Sequence, residues 1–234
     1  TGAFLVINTG DNIRRCDSGL LSTLGWTDER GTPTYCLEGS LFNAGTVVQW
    51  LRDGLGIIES AADVNRLAGQ VSDSGGVMLV PAFTGWGTPH WDPLARGMMI
   101  GLTRDSSSSH IARAALEGIA LSVATLVDLA ESAIGAELGE LAVDGGAAAS
   151  DPLLQAQADC TGLTVRRAAN LESTARGVAL FAGLQAGVVT DIDDLVRRRG
   201  EGASLFEPQM DTSRRTAWRA RWNDAVTRSL GWHG

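Results

Sequence analysis

Two adjacent glycines provide the clearest means of binding a ligand's phosphates through the backbone. Gly145 and Gly146 follow a short apolar run, and a helix is predicted from about Ser150. Glycine lets a backbone approach a ligand closely, and the start of a helix offers unpaired N–H groups. Ser150 or Asp151 as N-cap, with Pro152 in the first turn, supports a helix at this place. Taken alone, the pattern is equally typical of a tight strand-to-helix turn.

Two other glycine-bearing segments have the same potential. Gly45 lies in a predicted helix with Gln49 one turn later, where glycine leaves room for a ligand or for close packing. Thr1 and Gly2 precede an apolar strand that ends in the turn Asn8–Gly10, which predicts a hairpin of N–H and hydroxyl donors or a plain β-turn. Together, the three segments predict one phosphate-binding site assembled from distant parts of the chain.

The basic residues exclude two common ways of binding ATP. The chain has 19 basic residues, and every one of them is arginine. A Walker-type phosphate loop and the ATP site of protein kinases both require a lysine. A nucleotide would therefore have to be held in another way, and backbone N–H groups can hold phosphates in a small pocket.

Composition narrows the class of protein further. A formal charge of −8 argues against a broad nucleic-acid-binding surface. Cys16, Cys36 and Cys160 form no Cys-x-x-Cys pair, so we expect reduced thiols, and His90 and His233 have no clustered partners, so we expect no protein metal site. The longest apolar stretches fall short of the roughly 20 residues of a membrane span. We expect a cytoplasmic protein that binds neither nucleic acid nor membrane.

Hydrophobic periodicity predicts an α/β domain with a mixed sheet flanked by helices. The opening segment reads as a β-meander with strands at 3–8, 13–16, 19–26 and 33–37. Helices are predicted at 38–55, 59–69, from Ser106–Ser109 to about 134, at 150–161, 173–187, 191–198 and 212–230. Strands are predicted at 77–80, 98–102, 141–143 and 163–167, with a long ordered loop at 81–93 and a short linker at 200–203.

Two separate motifs carry a resemblance to a known family. Residues 97–102 read Gly-Met-Met-Ile-Gly-Leu, and seven residues later 110–117 read His-Ile-Ala-Arg-Ala-Ala-Leu-Glu. This pattern resembles a signature in the C-terminal half of the carbohydrate kinases that include the glycerol, xylulose and gluconate kinases. Within that family, the loop at 83–93, the opening residues 1–4 and the segment 37–53 are similar to the glycerol kinase branch.

The resemblance implies a fold and a set of site residues. The fold would be that of an actin-like ATPase (ribonuclease H-like) domain over 1–234. Thr1 and Gly45 would contact the ATP phosphates, with Gln49 lining the nucleotide cleft, and Gly145 and Gly146 would approach the phosphates and the adenosine. Phe4 would contact the carbon backbone of glycerol. Ser150 would belong to the nucleotide-binding residues at a position where the family usually has asparagine, so that a hydrogen bond to the adenine base would be shortened or lost.

The resemblance also implies what the chain does and what it lacks. The full-length enzyme would use ATP and Mg²⁺ to phosphorylate glycerol to glycerol 3-phosphate. The catalytic base would belong to an N-terminal substrate domain absent from this chain, so we expect no catalytic residue here and no activity in isolation. Because Thr1 leads directly into an apolar strand, we expect a fragment of a longer protein. A surface that the missing domain would cover is then exposed, so we also expect self-association. A kinase for another polyol or sugar, and a stand-alone actin-like nucleotide-binding module, remain as alternatives.

Overall fold

The computed structural model describes residues 2–28, 30–190 and 202–233. The strands are β1 (Ala3–Gly10), β2 (Leu21–Thr27), β3 (Pro33–Leu41), β4 (Met78–Val80), β5 (Met98–Ile100), β6 (Glu140–Val143), β7 (Thr164–Arg167) and β8 (Ser204–Phe206). The helices are α1 (Gly45–Asp53), α2 (Asp63–Ala68), α3 (Ser108–Ile134), α4 (Asp151–Thr161), α5 (Ser173–Gln185) and α6 (Thr212–Ser229). The predicted helix at 191–198 and part of the predicted linker at 200–203 lie outside the described residues.

The first sheet is antiparallel but is not a meander. Its strand order is β1-β3-β2, so β1 pairs with β3 rather than with its neighbour in sequence. The predicted strand at 13–16 is wrong, because these residues belong to the connection between β1 and β2. β3 takes the central place because Cys36–Leu41 is mostly buried, whereas β2 is mostly exposed and suits a sheet edge.

The predicted helix at 38–55 is wrong in its first part. β3 continues to Leu41, which pairs with Ala3, and α1 begins only at Gly45. The apolar residues Leu41 and Phe42 fit a helical period and a strand equally well in so short a window. Pairing with β1 decides for the strand, since it satisfies the backbone groups of this segment.

α3 is the central helix of the molecule. Its 27 residues are largely buried, and it ends at Gly135 in the left-handed conformation. At the start of the helix the Ser107 N–H donates to His110 Nδ1, so the His110 side chain caps this end. By length and composition α3 would suffice to cross a membrane, contrary to our expectation about apolar stretches. Because 72% of its most apolar window is buried inside the protein, packing accounts for this composition.

The remaining strands form two further small sheets. β4 and β5 pair antiparallel, while β6 and β7 are parallel and β8 adds to β7 antiparallel. β8 was not predicted, because three residues are too short to show a period and only pairing with Arg166 and its neighbours forms the strand. The α/β class with a mixed sheet is confirmed. Among the described residues, however, the strands are divided over three sheets instead of one.

Close packing of α3 on β4 requires glycine at position 118. A Cβ atom at Gly118 would lie 2.1 Å from the carbonyl oxygen of Leu79, far inside contact distance. Gly177 in α5 is a matched site, since a Cβ atom there would meet no atom within 4 Å. The same substitution therefore has opposite consequences in the two helices.

We expect Gly118→Ala to lower the free energy of unfolding by about 1–3 kcal/mol, because backbone must move to admit the methyl group. Gly177→Ala should leave it unchanged or raise it by up to about 1 kcal/mol, because alanine favours the helix. Urea denaturation followed by circular dichroism measures both values. Equal responses of the two variants would contradict the close contact between α3 and β4.

Candidate functional site

A cleft of about 830 Å³ separates two strand edges that have no pairing partner among the described residues. β1 is an edge strand of the first sheet, and β6 is an edge strand of the mixed sheet. Residues of both strands line the cleft, and Ile119, Val123 and Leu126 of α3 contribute to its lining. A concave, largely apolar site with a few polar groups at its rim is the usual form of a small-molecule site.

The three predicted glycine segments meet in this cleft. Gly2 before β1, Gly45 at the start of α1, and Gly145 and Gly146 after β6 all line it. Thr1, the fifth predicted residue of this group, lies outside the described residues. Backbone segments that are far apart in sequence thus line the same cleft. Their spacing along the chain does not determine that they meet.

The two adjacent glycines leave the backbone open. Gly145 has φ +84°, a region that side chains disfavour, and its N–H donates to Leu171 O at 2.9 Å. Gly146 begins a short 3₁₀ turn that ends at Ala149. A Cβ atom at either glycine would meet no atom within 4 Å, so a ligand can approach the main chain directly here.

The N-terminus of α1 opens on the cleft without a capping side chain. Its N-cap residue is Ala44, and among the described residues no side chain accepts from the first-turn N–H groups. α4 differs, because Ser150 caps it and accepts from the Leu153 N–H at 3.3 Å. Unpaired N–H groups and the positive end of the helix dipole favour an anion at Gly45.

Gly2 has a structural reason to be glycine. A Cβ atom at this position would lie 2.1 Å from the carbonyl oxygen of Leu41. The chain entering β1 therefore passes directly against the end of β3. This close approach brings the Gly2 backbone to the same end of the cleft as α1, which follows β3 after three residues.

Of the other three predicted site residues, one lines the cleft and two do not. Phe4 lines the cleft and is 68% exposed, so its ring is available for contact. Gln49 is exposed and does not line the cleft. Ser150 is buried, and its hydroxyl donates to Asn65 Oδ1 at 2.6 Å while it caps α4. The cleft as described thus includes Phe4 but neither Gln49 nor Ser150.

Sequence reasoning missed several polar residues of the cleft. The carboxylates of Glu38, Glu140 and Asp144 line it, and so does Gln157. Gln157 is 6% exposed, and its Oε1 has no hydrogen-bond partner among the described residues. Its position on α4, one turn after Leu153, was a signal for the cleft-facing side of this helix. No cluster of three metal-ligating side chains occurs in the described ranges.

Comparison with known proteins gives consistent results. The sequence profile described as "FGGY family of carbohydrate kinases, C-terminal domain" matches residues 1–186. A glycerol kinase of Aromatoleum aromaticum is 52% identical over 233 residues, which are 99% of this chain and 46% of that relative. A glycerol kinase of Pseudothermotoga lettingae is 47% identical over 232 residues, again 46% of its length.

Solved structures agree with the sequence matches. The crystal structure of Plasmodium falciparum glycerol kinase with ADP aligns with a TM-score of 0.87 at 33% identity. The alignment covers 98% of this chain and 46% of that one. A xylulose kinase of Lactobacillus acidophilus aligns with a TM-score of 0.75 at 21% identity, which supports the fold alone.

These matches establish the fold and the family. The predicted actin-like ATPase fold is confirmed, since the chain aligns over almost its whole length with glycerol and xylulose kinases. It spans about half the length of the curated relatives it matches. The chain belongs to the FGGY family of carbohydrate kinases and matches the C-terminal domain of that family.

Proposed function

We propose that residues 1–234 form the nucleotide-binding domain of an ATP-dependent glycerol kinase. The observation that carries this proposal is the meeting of Gly2, Gly45, Gly145 and Gly146 in one cleft. A nucleotide there would place its phosphates against backbone N–H groups. The glycerol kinases at 47–52% identity and the ADP named for the Plasmodium enzyme support glycerol and an adenine nucleotide as ligands.

Phosphate binding would rest on dipoles rather than on a lysine. The uncapped start of α1 provides N–H groups and a partial positive charge at Gly45. Open backbone at Gly145 and Gly146 lets a second part of the polyphosphate approach without steric hindrance. The absence of lysine from the sequence is compatible with this arrangement, because the donors belong to the main chain.

Phosphoryl transfer would need groups beyond this chain. We propose that an N-terminal domain supplies the catalytic base and most polyol contacts, and that Phe4 packs on the carbon backbone of glycerol. Closure of the two domains would exclude water and limit hydrolysis of ATP. The proposal fits the share of each relative that the chain spans, 46%.

Magnesium would supply charge neutralisation of the polyphosphate in this reaction. The described residues contain no cluster of three metal-ligating side chains, so they do not form a protein cage for the ion. Mg²⁺ carried on phosphates needs only one or two carboxylates and keeps several waters. Asp144, which lines the cleft directly before Gly145, has the right chemistry for a ligand or for binding a metal-bound water.

The proposal also includes a cytoplasmic location, contact with a second domain and self-association. A cytoplasmic location is supported by the three free cysteines, Cys16, Cys36 and Cys160. Contact with a second domain and self-association are supported by apolar side chains on the first sheet, among them Phe4 and Val6, which are 68% and 57% exposed.

A kinase for another polyol or sugar is the alternative within the family. The sequence of the loop at 83–93 favours the glycerol kinase branch. The structural similarity to xylulose kinases supports the fold alone. A stand-alone nucleotide-binding module is the alternative from another class. The coding sequence upstream of Thr1 distinguishes these readings, because only the kinases require a second actin-like domain there.

We expect Gly146→Val to weaken ATP binding at least tenfold, because its side chain would enter the volume proposed for the nucleotide. The fold should tolerate it, since the position opens on free space. Gly139→Val is the matched control: a Cβ atom at Gly139 also meets no atom within 4 Å, but this residue does not line the cleft. Isothermal titration calorimetry with ATP measures both. Unchanged affinity in Gly146→Val would contradict the proposed site.

The full-length protein should phosphorylate glycerol with a kcat/KM at least a hundredfold above that for xylulose or gluconate. We expect this preference because the loop at 83–93 has the glycerol kinase form and because the chain is 47–52% identical to glycerol kinases. A coupled assay for ADP release, with each alcohol as acceptor, measures the preference. A higher value for a sugar would support the alternative kinase, and no turnover with any acceptor would support the stand-alone module.

A further inference from the structure

The start of α1 is held by a polar contact that crosses from the loop at 83–93. Asn43, two residues before Gly45, is only 6% exposed although it is polar. Its Nδ2 donates to Thr84 Oγ1 at 3.1 Å. Its Oδ1 accepts from Thr46 Oγ1 at 3.3 Å, so the same amide contacts the loop and the first turn of the helix.

The loop itself is firmly attached to the first sheet. Thr88 is fully buried, its Oγ1 accepts from the Ser40 N–H at 3.0 Å, and its own N–H donates to Ser40 O at 3.0 Å. Farther along, Trp91 Nε1 donates to Gly19 O at 2.8 Å. The loop is therefore a rigid support that joins the sheet to the residue before α1.

The direction of the Asn43 side chain matters for the cleft. A polar side chain near the start of a helix commonly caps the first-turn N–H groups. Here the amide turns to Thr84 instead, and the N-cap position is occupied by Ala44, whose side chain has no acceptor. The Val47 N–H donates to Ala44 O, whereas the Gly45 N–H at the cleft has no side-chain acceptor among the described residues, and the backbone that carries it is fixed.

Resting on the proposed function, we propose that Thr84 and Asn43 are positioning residues for the nucleotide's phosphates. Thr84 Oγ1 holds the Asn43 amide, and the amide fixes the first turn of α1. Neither side chain contacts the nucleotide. The consequence is specific: loss of the Thr84 hydroxyl should weaken interactions with the phosphates and leave those with the nucleoside unchanged.

Thr84→Val tests this inference, because valine keeps the shape of threonine and removes the acceptor. Thr84→Ser is the matched control that retains the hydroxyl. Thr84 is exposed, so neither change should unfold the protein. In the full-length protein, calorimetric titration with ATP should show binding about twofold to tenfold weaker for Thr84→Val, the effect of one lost, partly buried hydrogen bond. Adenosine, measured by its competition with ATP, should bind equally to both variants and to the unaltered protein. Thr84→Ser should bind ATP with the affinity of the unaltered protein.

Two results would overturn the positioning role. One is unchanged ATP affinity in Thr84→Val, and the other is an equal loss of affinity for ATP and adenosine, which a general loosening of the fold produces. Failure of the unaltered protein to bind ATP is a distinct result. It would overturn the proposed function itself, and the positioning role with it.

Discussion

The burial of α3 is the constraint on which the rest of the structure depends. This helix is apolar on most of its surface, so it must be covered on nearly every side. β4 lies against it so closely that only glycine fits at position 118, and α4 packs on the opposite side, where Cys160 Sγ lies 3.4 Å from Ala120 O. Both walls of the cleft are attached to this one element, and its residues Ile119, Val123 and Leu126 line the space between them.

In the proposed function, a cleft built in this way would bind an anion without a basic side chain. The donors would belong to main chain at the start of α1 and at Gly146, which follows the Gly145 N–H that is already bonded to Leu171 O. Backbone dipoles are weaker than a lysine, but they are fixed, so little order has to be gained when a ligand binds. Such a site requires exact positions of short backbone segments. The contacts of Gly2 with Leu41 and of Asn43 with Thr84 are the means by which the fold provides them.

Local patterns predicted most of the elements well. Most elements lie close to their predicted bounds. These are the long helix that ends at residue 134, the helices that begin at 151 and 173, and the strands β4 and β6. Each has a strong local signal, such as a sustained apolar face or a capping residue. The errors lie where such signals are short or ambiguous. Residues 38–41 fit a helix and a strand alike, residues 13–16 lack a partner strand, and Ser204–Phe206 becomes a strand only by pairing with β7.

The sequence by itself determined the family through its two motifs, the α/β class, and the kinds of residue available for phosphate binding, with glycine and no lysine among them. Tertiary structure alone decided which of these residues share a space. Phe4, Gly45 and Gly146 line the cleft, whereas Gln49 lies outside it. The Ser150 hydroxyl donates its hydrogen bond to Asn65. The physical reason is that residue type and helix capping act over a few neighbouring residues. Convergence depends on how β1, α1 and β6 pack around α3, which involves contacts between distant segments such as β1 and α3.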